Sequence, residues 1–109
     1  MRYSVSILIL SLTCSFIFGQ PIQKQRVIIL TDIEADPDDT ESLVRLLVYS
    51  NQLDIKGIIA TTSCWHKNMV NPESIKKIVE AYGQVQPNLM KHENGFPTAE
   101  SIYPLIKKG

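Results

Sequence analysis

The sequence predicts an α/β fold built on parallel strands, and three observations carry that reading. Two short runs, Val27 to Leu30 and Ile55 to Thr61, have the unbroken apolar or β-branched character of strands buried on both faces. Each is followed by a longer stretch in which apolar residues return at helical spacing, around Leu43 to Val48 and around Ile75 to Tyr82. Strand, helix, strand, helix in that order argues for right-handed crossovers and a sheet with helices packed on it.

The amino terminus stands apart from this pattern. Met1 and Arg2 open with a positive charge, Val5 to Phe18 is an apolar stretch too short for a comfortable bilayer span, and Phe18-Gly19-Gln20 offers a small residue before a cut. Residues 1–19 therefore read as a secretory signal peptide, which implies a secreted or periplasmic protein with no membrane contact after its removal. Export removes Cys14 and leaves Cys64 alone, so a disulfide within the mature chain is ruled out.

After the first strand, Asp36-Pro37-Asp38-Asp39 starts a helix: Asp36 suits the N-cap, Pro37 the first helical position, and the acids complement the dipole. Leu43, Leu46, Leu47 and Ser50 share one face of it. The second strand contains Gly57. Pro72 sits near the start of the next helix, Ile75, Ile78, Val79 and Tyr82 form its apolar face, and Gly83 and Pro87 are expected to stop it. Asn94-Gly95-Phe96-Pro97 reads as a turn, and Thr98 with Ser101, or Glu100, opens a last helix carrying Ile102, Leu105 and Ile106. Two parallel strands leave both sheet edges unpaired. Residues 20–109 are accordingly read as the amino-terminal part of a larger domain, with little or no turnover alone.

Composition excludes several classes of function. Of 109 residues, 44% are hydrophobic and 20% charged, without low-complexity tracts or repeats, which fits a globular chain and not a disordered one. Eleven basic residues balance eleven acidic ones, and no basic stripe is present to bind a nucleic acid. Lys76-Lys77 and Lys107-Lys108 read as solvated helix positions and His92 as a surface residue.

The chemistry is concentrated where the first strand meets its helix. Five of the eight positions from Asp32 to Asp39 are acidic: Asp32, Glu34, Asp36, Asp38 and Asp39. Capping accounts for the acids of the helix start but not for Asp32 or Glu34, which sit at the carboxyl end of the strand, where open α/β sheets bind ligands. Crowded carboxylates repel by about 1 kcal/mol per pair at close range in water and more when partly buried. A hard cation relieves that repulsion, and Ca²⁺, which takes roughly 6–8 oxygen ligands, suits it. An EF-hand is excluded: Asp32, Glu34, Asp36 and Asp38 supply its alternating oxygens, but Pro37 and Leu43 stand where it needs Gly and Glu. An aspartate-nucleophile phosphotransferase is a weak third reading, because the second acid is Glu34 and the doubled Asp38-Asp39 has no part in it.

The spacing Asp32-x-Glu34-x-x-x-Asp38-Asp39, set between an apolar strand and the second strand LDIKGIIATTS, resembles the nucleoside hydrolases, whose signature runs Asp-x-Asp-x-x-x-Asp-Asp. The wording DIEADPDDTESLVRLLVYSN, ATTSCW and NPESIKKIVEAYGQVQPNL is similar to a secreted branch of that family, one member of which is described as cellulose-binding. The resemblance implies the amino-terminal part of a Rossmann-like, parallel-sheet domain. It implies Glu34 as both Ca²⁺ ligand and general base, Asp39 as bidentate Ca²⁺ ligand, Asp38 as the holder of sugar hydroxyls, and Asp32 as a supporting acid. Glu34 departs from the family's Asp by one methylene, which shifts either the metal or the activity, since a base must lie within hydrogen-bond reach of its proton.

Such a cluster suits cleavage of an N-glycosidic bond, which passes through an oxocarbenium-like state and needs water delivered from one face. The second strand ends in Thr61-Thr62-Ser63-Cys64-Trp65-His66 at the same sheet edge. There Trp65 can stack on a sugar or base, His66 can donate to a hydroxyl, and Asn68 lies near the position of a sugar-contacting Asn in the family. Cys64 reads as a small inert residue. Two expectations follow: a Ca²⁺-dependent N-glycosyl hydrolase acting on a small glycoside, or a polysaccharide-binding module that keeps the fold and uses its mouth to hold a glycan. The placed carboxylates favour the first.

Overall fold

The structure is a computed structural model that describes residues 23–109, so the expected signal peptide and Cys14 lie outside the described residues. It contains β1 (Gln25–Thr31), α1 (Pro37–Val48), a short 3₁₀ turn, β2 (Leu53–Ala60), α2 (Pro72–Leu89), α3 (Ala99–Ile102), a second 3₁₀ turn and β3 (Ile106–Lys108). All strands are parallel and lie in the order β1-β2-β3. Crossovers of one hand that step in one direction keep their helices on one face of a sheet, and α1 packs against α2 accordingly.

Alternation along β1 shows which face is covered. Val27, Ile29 and Thr31 point toward the helices, whereas Ile28 and Leu30 are 60% and 67% exposed on the other side. In β2 a bulge at Lys56 shifts the register, so that Val27 pairs with Ile55 and Ile28 with Gly57. Without that extra residue Ile55 and Ile58 would face opposite ways. With it, Ile55, Ile58 and Ala60 are all buried. Lys56 turns outward and pairs with Asp54 at 2.9 Å.

The core is the apolar face predicted for each helix. Leu43 and Leu47 of α1 meet Ile75, Val79 and Tyr82 of α2, and Ile33, Ile102 and Ile106 close the cluster. Ser50 is buried at the end of α1, donating to the Leu47 carbonyl at 2.6 Å, with its oxygen 3.2 Å from the Tyr82 hydroxyl. Tyr82 donates to the Pro97 carbonyl at 2.7 Å and thereby ties α2 to the loop before α3. Burial pushes the Tyr82 phenol above its ordinary value, against the opposing effect of Ser50.

Three expectations are corrected. Gly83 and Pro87 do not stop α2, which runs on to Leu89. Gly83 serves a close approach instead: a Cβ there would lie 2.8 Å from that of Ala99 in α3. Pro87 falls in the last turn, where it forgoes one backbone bond, to the Gly83 carbonyl, without ending the helix. The third helix is a single turn capped by Thr98, whose hydroxyl accepts from the Ser101 N–H at 3.2 Å. Ile106 leaves it to begin β3, which places Lys107 and Lys108 on an edge strand, exposed, and not on a helix. Charged side chains guard an edge against unwanted pairing. Among the described residues no helix is long and apolar enough to cross a membrane.

Candidate functional site at the carboxyl ends of the strands

The last residue of β1 is Thr31, whose carbonyl receives the Thr61 N–H at 2.8 Å and extends the pairing past β2. A tight turn follows, closed by the Ala35 N–H on the Asp32 carbonyl at 2.9 Å. Ile33 drives into the core with 1% of its surface exposed, and its carbonyl accepts from Asn71 Nδ2 at 3.3 Å. Glu34 then sits at φ 76°, the left-handed region. That conformation is costly for a residue with a long side chain, and strained backbone of this kind clusters at functional sites. Asp36 caps α1 as predicted, its Oδ1 accepting from the Asp38 N–H at 3.3 Å, with Pro37 in the first turn.

The turn and the helix start sort the acids into two groups. Glu34, Asp36 and Asp38 are exposed. Asp32 and Asp39 are partly buried and stand side by side, with the Thr31 hydroxyl donating to Asp39 Oδ2. Glu34 and Asp36 line a shallow hollow with Thr40 and Glu41, whereas Asp39 lines a different one with Thr31, Leu30 and Ser42. The structure thus brings Asp39 to Asp32 and leaves Glu34 and Asp38 at the rim.

The turn after β2 supplies the other wall. The Ser63 hydroxyl holds the Asp32 carboxyl below its ordinary value of 3.8, against the cost of partial burial and helped by the Asp32 backbone N–H, Asp39 and the neighbouring His66. Ser63 Oγ also accepts from the backbone N–H groups of Trp65 and His66, each at 3.1 Å, and the Ser63 N–H donates to the His66 carbonyl at 3.1 Å. Trp65 is 80% exposed. Cys64 is a free, exposed thiol, and Asn68 is exposed without a hydrogen bond to the acid pair among the described residues. Sequence reasoning missed Thr31 and Ser63. The signal available was a hydroxyl residue at each strand end, since Ser and Thr commonly bridge to nearby backbone and carboxylate groups.

The donor set fits a hard cation in kind: two adjacent carboxylates with a hydroxyl beside them are all-oxygen ligands. In number it is partial. Among the described residues no three His, Cys, Asp or Glu side chains converge as a metal site.

The family model for "Cellulose-binding Sde182, nucleoside hydrolase-like domain" matches residues 26–109. A solved structure, described as a nucleoside hydrolase-related hypothetical protein from Saccharophagus degradans that is associated with carbohydrate metabolism, is 47% identical with a TM-score of 0.76. The match covers 80% of this chain and 21% of that one, so the chain spans about a fifth of the length of that relative. No curated protein matches. The α/β architecture agrees with that likeness, and the chain belongs to the family of cellulose-binding, nucleoside hydrolase-like domains.

Proposed function

We propose that this chain forms the carbohydrate-holding mouth of a nucleoside hydrolase-like domain, with a glycan or small glycoside as its ligand. The observation that carries the reading is the convergence of Asp32 and Asp39 with Ser63 and His66 at the strand ends, next to a Trp65 that is 80% exposed. Carboxylates accept hydrogen bonds from sugar hydroxyls, and an indole offers its flat apolar face to the C–H face of a pyranose while the ring hydroxyls stay wet. Trp65 presents its indole to solvent, where the ring is accessible for stacking on a sugar.

Asp32 and Asp39 are the residues that would hold Ca²⁺, with further oxygens from water or from elsewhere in the protein. When bound, the ion would orient hydroxyls and lower the pKa of a coordinated water. The second reading, hydrolysis of an N-glycosyl bond, is favoured by the retained spacing of Asp32, Glu34, Asp38 and Asp39. In that scheme Glu34 takes the proton of the attacking water and Asp38 holds the sugar. The exposure of both and the separate hollow of Glu34 put binding first and turnover second. A signal peptide at residues 1–19 would place this activity outside the cytoplasm.

A cellulose pull-down beside a nucleoside panel, each with Ca²⁺ and with a chelator, separates the two. The binding reading expects retention on cellulose that falls in Trp65→Ala and no release of base from nucleosides. Release of free base with no retention on cellulose would reverse the order of the two readings.

A further inference from the structure

We infer that Asn94 is a site of spontaneous covalent modification: its side-chain amide is lost by ring closure on the Gly95 nitrogen, which turns the loop before α3 into a mixture of aspartate and isoaspartate. The loop lies at the amino end of the sheet, against Lys24 and Asn51, away from the acid pair at the other end of the strands.

The sequence has five asparagines, and only Asn94 precedes a glycine. Asn51 is buried, Asn71 precedes Pro72, which has no N–H, and Asn88 lies in α2 with its Oδ1 accepting from Lys91 Nζ at 3.1 Å. Asn68 is exposed, but the Cβ of Met69 crowds the nitrogen that would attack. Gly95 has no Cβ, and its φ of 95° is one that glycine adopts without strain. The loop is gripped by its carbonyls: Gly95 accepts from Lys24 Nζ at 2.7 Å, Phe96 from Gln86 Nε2 at 3.2 Å and Pro97 from the Tyr82 hydroxyl at 2.7 Å. Among the described residues the Gly95 N–H donates to no acceptor and the Asn94 side chain makes no hydrogen bond, and both residues are exposed. Nucleophile and target are thus adjacent and unengaged, which favours intramolecular attack. The Lys24 ammonium, 3.3 Å from where a Gly95 Cβ would stand, sets a positive charge near the nitrogen that must shed its proton.

In the step itself the Gly95 nitrogen bonds to Asn94 Cγ, the Cγ–Nδ2 bond breaks, and Nδ2 leaves as ammonia with the proton that the Gly95 nitrogen gives up. Water then opens the cyclic imide at either carbonyl, giving aspartate or isoaspartate. Each product adds a carboxylate to a chain whose eleven acidic residues balance eleven basic ones. Isoaspartate also lengthens the backbone by one carbon where Lys24 holds it.

The full chain and a synthetic peptide of residues 91–98 are aged side by side in mildly alkaline and mildly acidic heavy-oxygen water, digested at acidic pH and mapped by mass spectrometry, with an isoaspartyl methyltransferase to count isoaspartate. The chain should acquire one acidic form, faster in alkali, located at Asn94, carrying heavy oxygen and containing isoaspartate, at a rate within about tenfold of the peptide's. Asn94→Gln, whose longer side chain closes a ring far less readily, should stay unmodified there while circular dichroism reports an unaltered fold; the wild-type rate decides the matter should that variant misfold. Protection beyond about tenfold relative to the peptide, modification that begins at Asn68, or a product free of isoaspartate overturns the assignment.

Discussion

The two turns that leave the sheet at its carboxyl edge are held by opposite means. The turn after β1 is anchored from below: Ile33 is buried in the core, and Glu34 accepts a left-handed backbone so that Asp32 and Asp39 can meet beside Thr31. The turn after β2 is held from within, by Ser63 hydrogen bonds to its own backbone, while Trp65 and Cys64 face solvent. One turn draws on hydrophobic burial and stores strain. The other draws on local polar bonds and stores none that the backbone reveals. The two turns leave neighbouring strand ends, joined where the Thr61 N–H meets the Thr31 carbonyl.

The sharpest way to break this contrast is to remove the anchor. Ile33→Ala should lower stability by about 2–5 kcal/mol, the usual cost of a large-to-small change in a packed core, as read by urea unfolding. A loss within experimental error would mean that the β1 turn does not depend on burial. Next in size is the effect of cation on the acid pair. Saturating Ca²⁺ should stabilise the wild type by about 1–3 kcal/mol in thermal melts, by preferential binding to the folded state. Asp39→Asn should abolish that gain.

Strain at Glu34 predicts a smaller effect of opposite sign. Glu34→Gly should stabilise the fold by about 0.5–1 kcal/mol, since glycine removes the left-handed penalty but brings a more flexible unfolded chain. Destabilisation there would indicate that the Glu34 side chain makes a contribution larger than its strain. The smallest effect is on pH dependence. The Asp32 carboxyl is held below its ordinary value of 3.8, so its contribution to stability is present above that pH and lost as pH falls through the depressed folded value. Ser63→Ala should shrink this acid-side loss in a pH series of thermal melts, whereas an unaltered acid limb would detach Ser63 from Asp32.

Much of the fold could be read from the chain before the coordinates, because the signals involved are local. Asp36 and Pro37 announce the start of α1 by capping chemistry alone, and Leu43, Leu47, Ile75, Val79 and Tyr82 lie on the buried faces that their spacing predicts. What escaped depends on distant partners. Gly83 looked like a helix stop because its reason, the approach of Ala99, lies sixteen residues ahead. Ile106 looked helical because β3 is only three residues long and owes its conformation to pairing with β2. Within the site, the presence of carboxylates at the sheet edge was legible, but their division was not. Equal spacing hides the left-handed turn at Glu34, which sends one acid to the rim and brings Asp32 beside Asp39.

The central claim is that Asp32 and Asp39 work as one unit, and calorimetric titration of the full chain with Ca²⁺ tests it most directly. The account predicts one ion per chain, an affinity lowered at least about tenfold by Asp32→Asn or Asp39→Asn, and no further loss when both are changed, the non-additivity expected of residues sharing one ligand. Titration curves for the two single variants that overlay the wild type would contradict it.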